Sequence, residues 1–186
     1  EQGYVKVSPA APLRRYKRKR SRMETLSREE RIKLIDEARG TRWFALIYLL
    51  ATSGLRPSEA LALTYDDVDL EQLTVTVNKK LTYFNKDSYI FENATKSDAG
   101  DRDIPLLEEV AAALEEHMQW QKKVGAYDPA LALVFGDDRG NPVDSRWVMN
   151  SILKPPAHQV GIKKNVTNYT FRHTVGTAIG RTKDWT

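Results

Sequence analysis

Residues 41–60, TRWFALIYLLATSGLRPSEA, decide the architecture of this chain. The segment Thr41–Thr52 is apolar on almost every side, which predicts a helix buried in the core. Ser53-Gly54 ends that helix, and Pro57 suits the first turn of the next one. Arg56 therefore lies at a helix start behind a glycine turn. Its guanidinium and the helix N–H groups can together hold an oxyanion there.

Further helices are predicted on both sides of this stretch. Ser27 and Glu30 form a capping box, and Gly40 ends the helix that follows. Pro155-Pro156 is expected to break a later helix. The other predicted helices cover residues 107–118, residues from Asp144 or Ser145 to Leu153, and residues 169–180.

Three short segments read as β-strands between turn residues. They are Leu73–Val77, Tyr89–Phe91 and Arg102–Ile104. We expect them to form one small antiparallel sheet. The predicted fold class is therefore mainly α with a small antiparallel β-sheet, an α+β protein.

Composition excludes several classes of protein and site. A chain of 186 residues has room for one domain and for part of a second. It contains no Cys, which excludes disulfides, thiolate nucleophiles and cysteine-based metal sites. Its three His lack the spacing of metal ligands, so no metal is expected. The longest apolar stretch, Phe44–Ala51, has eight residues, whereas a membrane span needs about 20.

Positive charge is concentrated at the two ends of the chain. The net charge is +4. Residues 1–22 contain eight Lys or Arg and one acidic residue, and residues 150–186 contain six Lys or Arg and one acidic residue. The middle is acidic. Basic ends around an acidic body suggest a polyanion partner, usually nucleic acid.

The run RRYKRKRSR, residues 14–22, has the composition of an extended linker. It could lie along a phosphate backbone, act as a patch of the nuclear-import type, or simply tether two domains. The residues predicted to bind DNA are Arg14, Arg15, Lys17, Arg18, Lys19, Arg20 and Arg22.

Two further motifs carry candidate chemistry. Thr95-Lys96-Ser97 lies between two predicted strands, where a lysine can reach a phosphate or a leaving oxygen. YTFRHT, residues 169–174, places Arg172 and His173 in an otherwise uncharged helix. An arginine in that setting needs an anion or a carboxylate as its partner.

The motifs GLRPSE, TKS with RDIPL, and FRHT, in this order and at these distances, resemble the tyrosine recombinases, also called the phage integrase family. The resemblance runs from about Leu26 to the end. It implies the catalytic core of a DNA breaking-rejoining enzyme over residues 24–186. Residues 1–23 are then the end of a preceding DNA-binding domain plus a basic interdomain linker. The implied activity is site-specific DNA recombination through a 3′-phosphotyrosyl intermediate.

The resemblance also implies roles for individual residues. Arg56 and Arg172 clamp the scissile phosphate, and Lys96 gives a proton to the leaving 5′ oxygen. Glu59 supports Arg56, and His173 has a supporting role. Two bidentate arginines suit the charge that builds on the phosphate oxygens during attack. Neither a metal nor a small-molecule cofactor is implied.

The chain departs from the family pattern at two places. Tyr169 occupies the position that usually holds His; it can donate a hydrogen bond to a phosphate, but tyrosine hydroxyls are poor bases at neutral pH. The nucleophilic tyrosine of the family follows the second arginine by a few tens of residues. The sequence reaches only Thr186, so the nucleophile is expected beyond it. We therefore expect this segment to bind DNA without cleaving it.

The expected partners are double-stranded DNA and other recombinase protomers on that DNA, with no membrane. The expected location is the bacterial cytoplasm, at the nucleoid. Two alternatives remain open. One is a non-catalytic DNA-binding regulator that keeps the scaffold. The other is a generic basic protein of nucleic-acid or membrane surfaces, in which Arg56, Lys96 and Arg172 would lie far apart.

Overall fold

A computed structural model describes residues 24–85, 88–93, 101–167 and 169–181 of the chain. Helices are its main regular structure. The predicted capping box is present, because Ser27 Oγ accepts from the Glu30 N–H and the Glu30 carboxylate accepts from the Ser27 N–H. The α-helices are α1 (Arg28–Glu37), α2 (Phe44–Ser53), α3 (Pro57–Ala60), α4 (Glu108–Val124), α5 (Ser145–Trp147), α6 (Lys154–Gln159) and α7 (Thr170–Arg181).

Helix α2 forms the centre of the core, as its sequence predicts. Leu46, Leu49 and Leu50 are fully buried, and the helix packs against α4 and α7. It begins at Phe44 rather than Thr41, because the chain turns over the residues just before it. Burial on all sides makes α2 the fixed element from which Gly54 and the residues after it extend.

In the described part of the chain, the strands form two antiparallel sheets instead of the single sheet expected. One has the order β1-β2-β5, and the other is a separate β3-β4 hairpin. The predicted strand at Tyr89–Phe91 therefore pairs with a strand that the sequence analysis missed. That strand contains lysines and is flanked by asparagines. Both residue types are depleted in strands, and asparagine is typical of turns, so the local sequence does not predict a strand there. The strands are β1 (Val68–Asp69), β2 (Thr74–Val77), β3 (Lys79–Asn85), β4 (Ser88–Asn93) and β5 (Arg102–Pro105).

The prediction that Pro155-Pro156 breaks a helix is wrong. Asp144 caps α5, a π-helical segment follows over Val148–Leu153, and α6 continues directly with both prolines in its first turn. Proline is tolerated there because its missing N–H has no partner at a helix start. The chain thus stays helical through 145–159. The fold class is mainly α with small antiparallel sheets, as predicted.

One of the three histidines is a core residue. His117 is buried on α4, and its Nε2 donates to the carbonyl of Val134 at 2.8 Å. Its ring stacks on Trp120, and burial lowers the pKa of His117. A satisfied, neutral histidine of this kind stabilises packing between α4 and the segment around Val134.

Within 24–85, 88–93, 101–167 and 169–181, no helix has the length and apolar character needed to cross a bilayer. The same ranges contain no cluster of three or more His, Asp or Glu side chains arranged to hold a metal ion.

Candidate functional site

The turn between α2 and α3 presents Arg56 at the surface. Gly54 adopts a left-handed conformation with φ of 67°, which ends α2, and Pro57 starts α3 immediately after Arg56. Glycine favours this conformation because it lacks a Cβ. The Arg56 side chain is 45% exposed. The predicted arrangement of a glycine turn followed by an arginine at a helix start is confirmed.

Glu59 is the buried carboxylate of the site, with only 3% of its surface exposed. Its Oε1 accepts from the Arg56 guanidinium at 2.6 Å. Its Oε2 accepts from the Arg56 backbone N–H at 2.9 Å and from the Arg102 guanidinium at 2.8 Å. Both oxygens are therefore engaged by arginine, from the same helix start and from strand β5.

The charge of Glu59 is stabilised by these partners. Burial by itself raises the pKa of Glu59. Hydrogen bonds from the Arg56 N–H and from the Arg102 and Arg56 guanidinium groups outweigh that effect, so the pKa of Glu59 lies below its ordinary value. The carboxylate consequently remains ionised at neutral pH and holds both guanidinium groups in place.

Arg172 approaches the same site from α7. Its guanidinium donates to the carbonyl of Gly54 at 3.1 Å. Burial lowers the pKa of Arg172, and the nearby positive charges of Arg56 and Arg102 lower it further. An arginine keeps its proton under any physiological condition. The structure therefore brings together Arg56 and Arg172, which lie far apart in the sequence.

Tyr169 lies just before α7, at the same cleft as Arg56. The two residues line a small cleft of about 70 Å³ with Pro57, Ser58 and Ser145. Tyr169 is 52% exposed, so the residue is open to solvent at the edge of this cleft.

His173 is exposed one turn further along α7. Its ring centre lies 6.4 Å from that of Tyr169. This places His173 beside the tyrosine rather than against the arginine cluster.

Several predicted site residues fall outside the part of the chain that the structure describes. Lys96 is among them, as is the whole basic run. These residues are Arg14, Arg15, Lys17, Arg18, Lys19, Arg20, Arg22 and Lys96.

Arg102 is the site residue that sequence reasoning missed. The sequence analysis placed it in a strand and in the motif RDIPL but gave it no role of its own. A basic residue at the first position of a strand, directly after a turn, is the signal that could have marked it. Nothing local in the sequence shows that this residue reaches Glu59.

The arrangement suits an anion with several oxygens. Among the described residues, two guanidinium groups bind Glu59 and that of Arg172 lies nearby, which leaves an excess of positive charge beside an accessible cleft. Arginine binds phosphate oxygens through paired, planar hydrogen bonds. Oriented cations of this kind stabilise negative charge that develops on a reacting phosphate.

Replacing Gly54 with alanine is expected to lower the free energy of unfolding by about 2 kcal/mol. The positive φ is unfavourable for alanine, and its Cβ would lie 3.3 Å from side-chain atoms of Val175 on α7. Urea denaturation measures the loss. Gly40→Ala is the matched control, because Gly40 has a φ of 77° and open space around the Cβ position. We expect a loss of only about 1 kcal/mol there. Equal losses would show that Val175 moves aside at no cost.

Comparison with known proteins gives one consistent match. The family model described as the phage integrase family matches residues 24–183. The integrase of Staphylococcus phage L54a is 30% identical over 128 residues, covering 67% of this chain and 36% of that protein. Tyrosine recombinase XerC of Xanthomonas campestris pv. campestris (strain B100) is 31% identical over 181 residues, covering 95% of this chain and 49% of that protein. The chain thus spans half or less of the length of these curated relatives.

Solved structures share the fold. The crystal structure of XerA recombinase superimposes with a TM-score of 0.67 at 27% identity, covering 89% of this chain and 52% of that chain. The Tn1549 transposon integrase in complex with circular intermediate DNA gives a TM-score of 0.69 at 22% identity, covering 84% of this chain and 54% of that chain.

Proposed function

Because the chain belongs to the phage integrase family of tyrosine recombinases, we propose that it carries out site-specific recombination of double-stranded DNA. The observation that carries this proposal is that Arg172 comes together with Arg56 and Glu59, where Arg56 also lines an accessible cleft with Tyr169. Residues 24–186 form the catalytic domain. Residues 1–23 are the end of a preceding DNA-binding domain and the basic linker. The reaction takes place on the nucleoid in the bacterial cytoplasm, between recombinase protomers assembled on DNA.

Arg56 and Arg172 act on the scissile phosphate. The oxygen of a nucleophilic tyrosine bonds to phosphorus while the bond from phosphorus to the 5′ oxygen breaks, which leaves a 3′-phosphotyrosyl intermediate. Negative charge builds on the non-bridging oxygens during this step. Two guanidinium groups held in place beforehand stabilise that charge without reorganising. Lys96 gives the leaving 5′ oxygen its proton.

Tyr169 and Glu59 support this chemistry in different ways. Tyr169 faces the cleft with Arg56, so its hydroxyl can donate to a phosphate oxygen. The proton of the nucleophile leaves through a group other than Tyr169, since tyrosine hydroxyls are poor bases at neutral pH. Glu59 orients Arg56 through its 2.6 Å bond. His173 lies beside Tyr169 and supports its position.

The 186 residues do not supply the nucleophile. They contain no tyrosine after Tyr169. Among the earlier ones, Tyr65 donates to the carbonyl of Met118 and Tyr83 to that of Pro142. Burial raises the pKa of Tyr65 and of Tyr83 to about 12, so neither hydroxyl ionises readily. These 186 residues alone therefore bind DNA without forming the covalent intermediate.

DNA binding by the 186-residue chain is expected to weaken about a hundredfold between 50 and 200 mM salt if about four phosphates are contacted. Fluorescence anisotropy with a labelled duplex measures this. A control variant replaces the seven Lys and Arg of residues 14–22 with Gln and should reduce the slope. A salt-independent affinity would contradict phosphate binding by the basic segments.

Covalent chemistry is tested on a duplex that carries the cognate site. The full-length gene product should form a protein–DNA adduct that survives denaturing electrophoresis, whereas the 186-residue chain should not. Adduct formation by the 186 residues would overturn the statement about the nucleophile. DNA binding without any adduct from the full-length gene product would instead favour the non-catalytic DNA-binding regulator.

A further inference from the structure

Arg102 reaches the site from the sheet rather than from a helix. It is the first residue of β5, and its neighbour across the ladder is Val77 on β2. Its guanidinium is half-buried and donates to Glu59 Oε2 at 2.8 Å. Arg102 therefore links the three-stranded sheet to the helix start that carries Arg56.

Glu59 transmits this link to Arg56. Its Oε2 accepts from Arg102 and from the Arg56 backbone N–H, while its Oε1 accepts from the Arg56 guanidinium. A carboxylate held at one oxygen from two directions cannot rotate freely. The direction in which Oε1 points, and with it the position of the exposed Arg56 guanidinium, depends on Arg102.

We propose that Arg102 is a positioning residue for strand cleavage, which acts through Glu59 to hold the Arg56 guanidinium toward the scissile phosphate. This inference rests on the proposed function above. Arg102 itself does not need to touch the DNA. Its contribution is orientation, and an error of about 1 Å in a catalytic group can cost roughly a hundredfold in rate.

The proposal gives cleavage a characteristic pH dependence. In the part of the chain that the structure describes, the charged groups around Glu59 are Arg56 just before α3, Arg102 on β5 and Arg172 on α7. The hydrogen bond from Arg102 helps to lower the pKa of Glu59. Without Arg102 that pKa rises. Glu59 then takes up a proton at a higher pH and releases Arg56, so activity on the acidic side falls off at a higher pH than in the wild type.

The test compares three variants of the full-length gene product. Arg102→Met keeps an unbranched apolar stem and removes the guanidinium with its charge. We expect single-turnover cleavage to fall by roughly tenfold to a hundredfold, with the Kd for DNA changed by less than about twofold. The acidic limb of the pH profile should move to higher pH.

Arg102→Lys restores a cation that can donate to Glu59 and should recover most of the rate. Asp103→Ala is the matched control. It removes the neighbouring exposed side chain of β5, which accepts from Thr76 Oγ1 at 2.7 Å, and leaves Glu59 untouched. Its cleavage rate should equal that of the wild type.

A second readout does not depend on cleavage. In the 186-residue chain with ¹³C-labelled glutamate, NMR titration should give a higher pKa for Glu59 in Arg102→Met than in the wild type. An unchanged pKa overturns the proposal, as does an unshifted acidic limb or wild-type cleavage by Arg102→Met.

These failures are distinguishable from failure of the proposed function. If the wild-type full-length gene product does not cleave its site, the proposed function fails and this inference fails with it. If the wild type cleaves and Arg102→Met cleaves equally fast, only the inference about Arg102 fails.

Discussion

Replacing Arg172 with alanine is expected to slow DNA cleavage by the full-length gene product by about 10²–10³-fold, which corresponds to roughly 2.7–4 kcal/mol of transition-state stabilisation. Arg172 is half-buried and anchored to the Gly54 carbonyl at 3.1 Å, so its guanidinium is in place before the phosphate arrives. Single-turnover cleavage of a labelled duplex measures the loss. Binding of the 186-residue variant should weaken only modestly, because binding needs no help with the charge that develops during attack.

The control for this prediction is an arginine far from the Arg56–Glu59 pair. Arg39 pairs with Asp36 at 3.0 Å on the surface of the molecule, and both side chains are mostly exposed. Arg39→Ala should leave cleavage unchanged. A parallel fall in DNA affinity and in cleavage by Arg172→Ala would contradict a transition-state role, because it would mean that Arg172 only helps to bind the substrate.

Replacing Phe171 with alanine is expected to lower the free energy of unfolding by about 3–5 kcal/mol. Phe171 is 1% exposed and belongs to the main core cluster, immediately before Arg172 in α7. Its removal leaves a cavity between α7 and the core that the surrounding side chains fill only in part. Urea denaturation of the 186-residue chain measures the loss.

Ile179 supplies the comparison within the same helix. It is 47% exposed, so Ile179→Ala should change stability by about 0.5 kcal/mol or less. A loss below about 1 kcal/mol for Phe171→Ala would mean that α7 is not fixed by its apolar face. DNA cleavage should also be slower in Phe171→Ala, because the position of Arg172 depends on how α7 packs against the core.

The parts of the site that local sequence determines could be predicted. A glycine turn, a proline at a helix start and a glutamate three residues after Arg56 specify their own geometry within one turn of helix. The burial of α2 follows equally directly from its apolar composition. Arg172 was identified because a charged residue stands out in a helix that is otherwise uncharged.

Contacts between distant segments could not be predicted in the same way. The bond from Arg102 to Glu59 depends on how the sheet packs beside α3, which no local pattern encodes. The division into two sheets depends on strand pairing, and β3 carries lysines that weaken its strand pattern. The prolines of α6 are tolerated because they lie in the first turn of that helix, and where this turn begins depends on the π-helical segment before it.

The pairing of β2 with β5 has a consequence for chain length. Val77 and Arg102 are directly opposite each other in the ladder, although more than twenty residues separate them along the chain. The chain segment between them leaves the sheet after Val77 and rejoins it at Arg102, so both of its ends lie at the same place in the sheet. This segment includes β3, which contacts α3 and buries Leu81 in the core, so its strands must stay. Changes in chain length between the end of β3 and the start of β4 are the ones expected to leave the ends of β2 and β5, and with them the bond from Arg102 to Glu59, in place. An alignment of recombinases should therefore concentrate its gaps between these two strands.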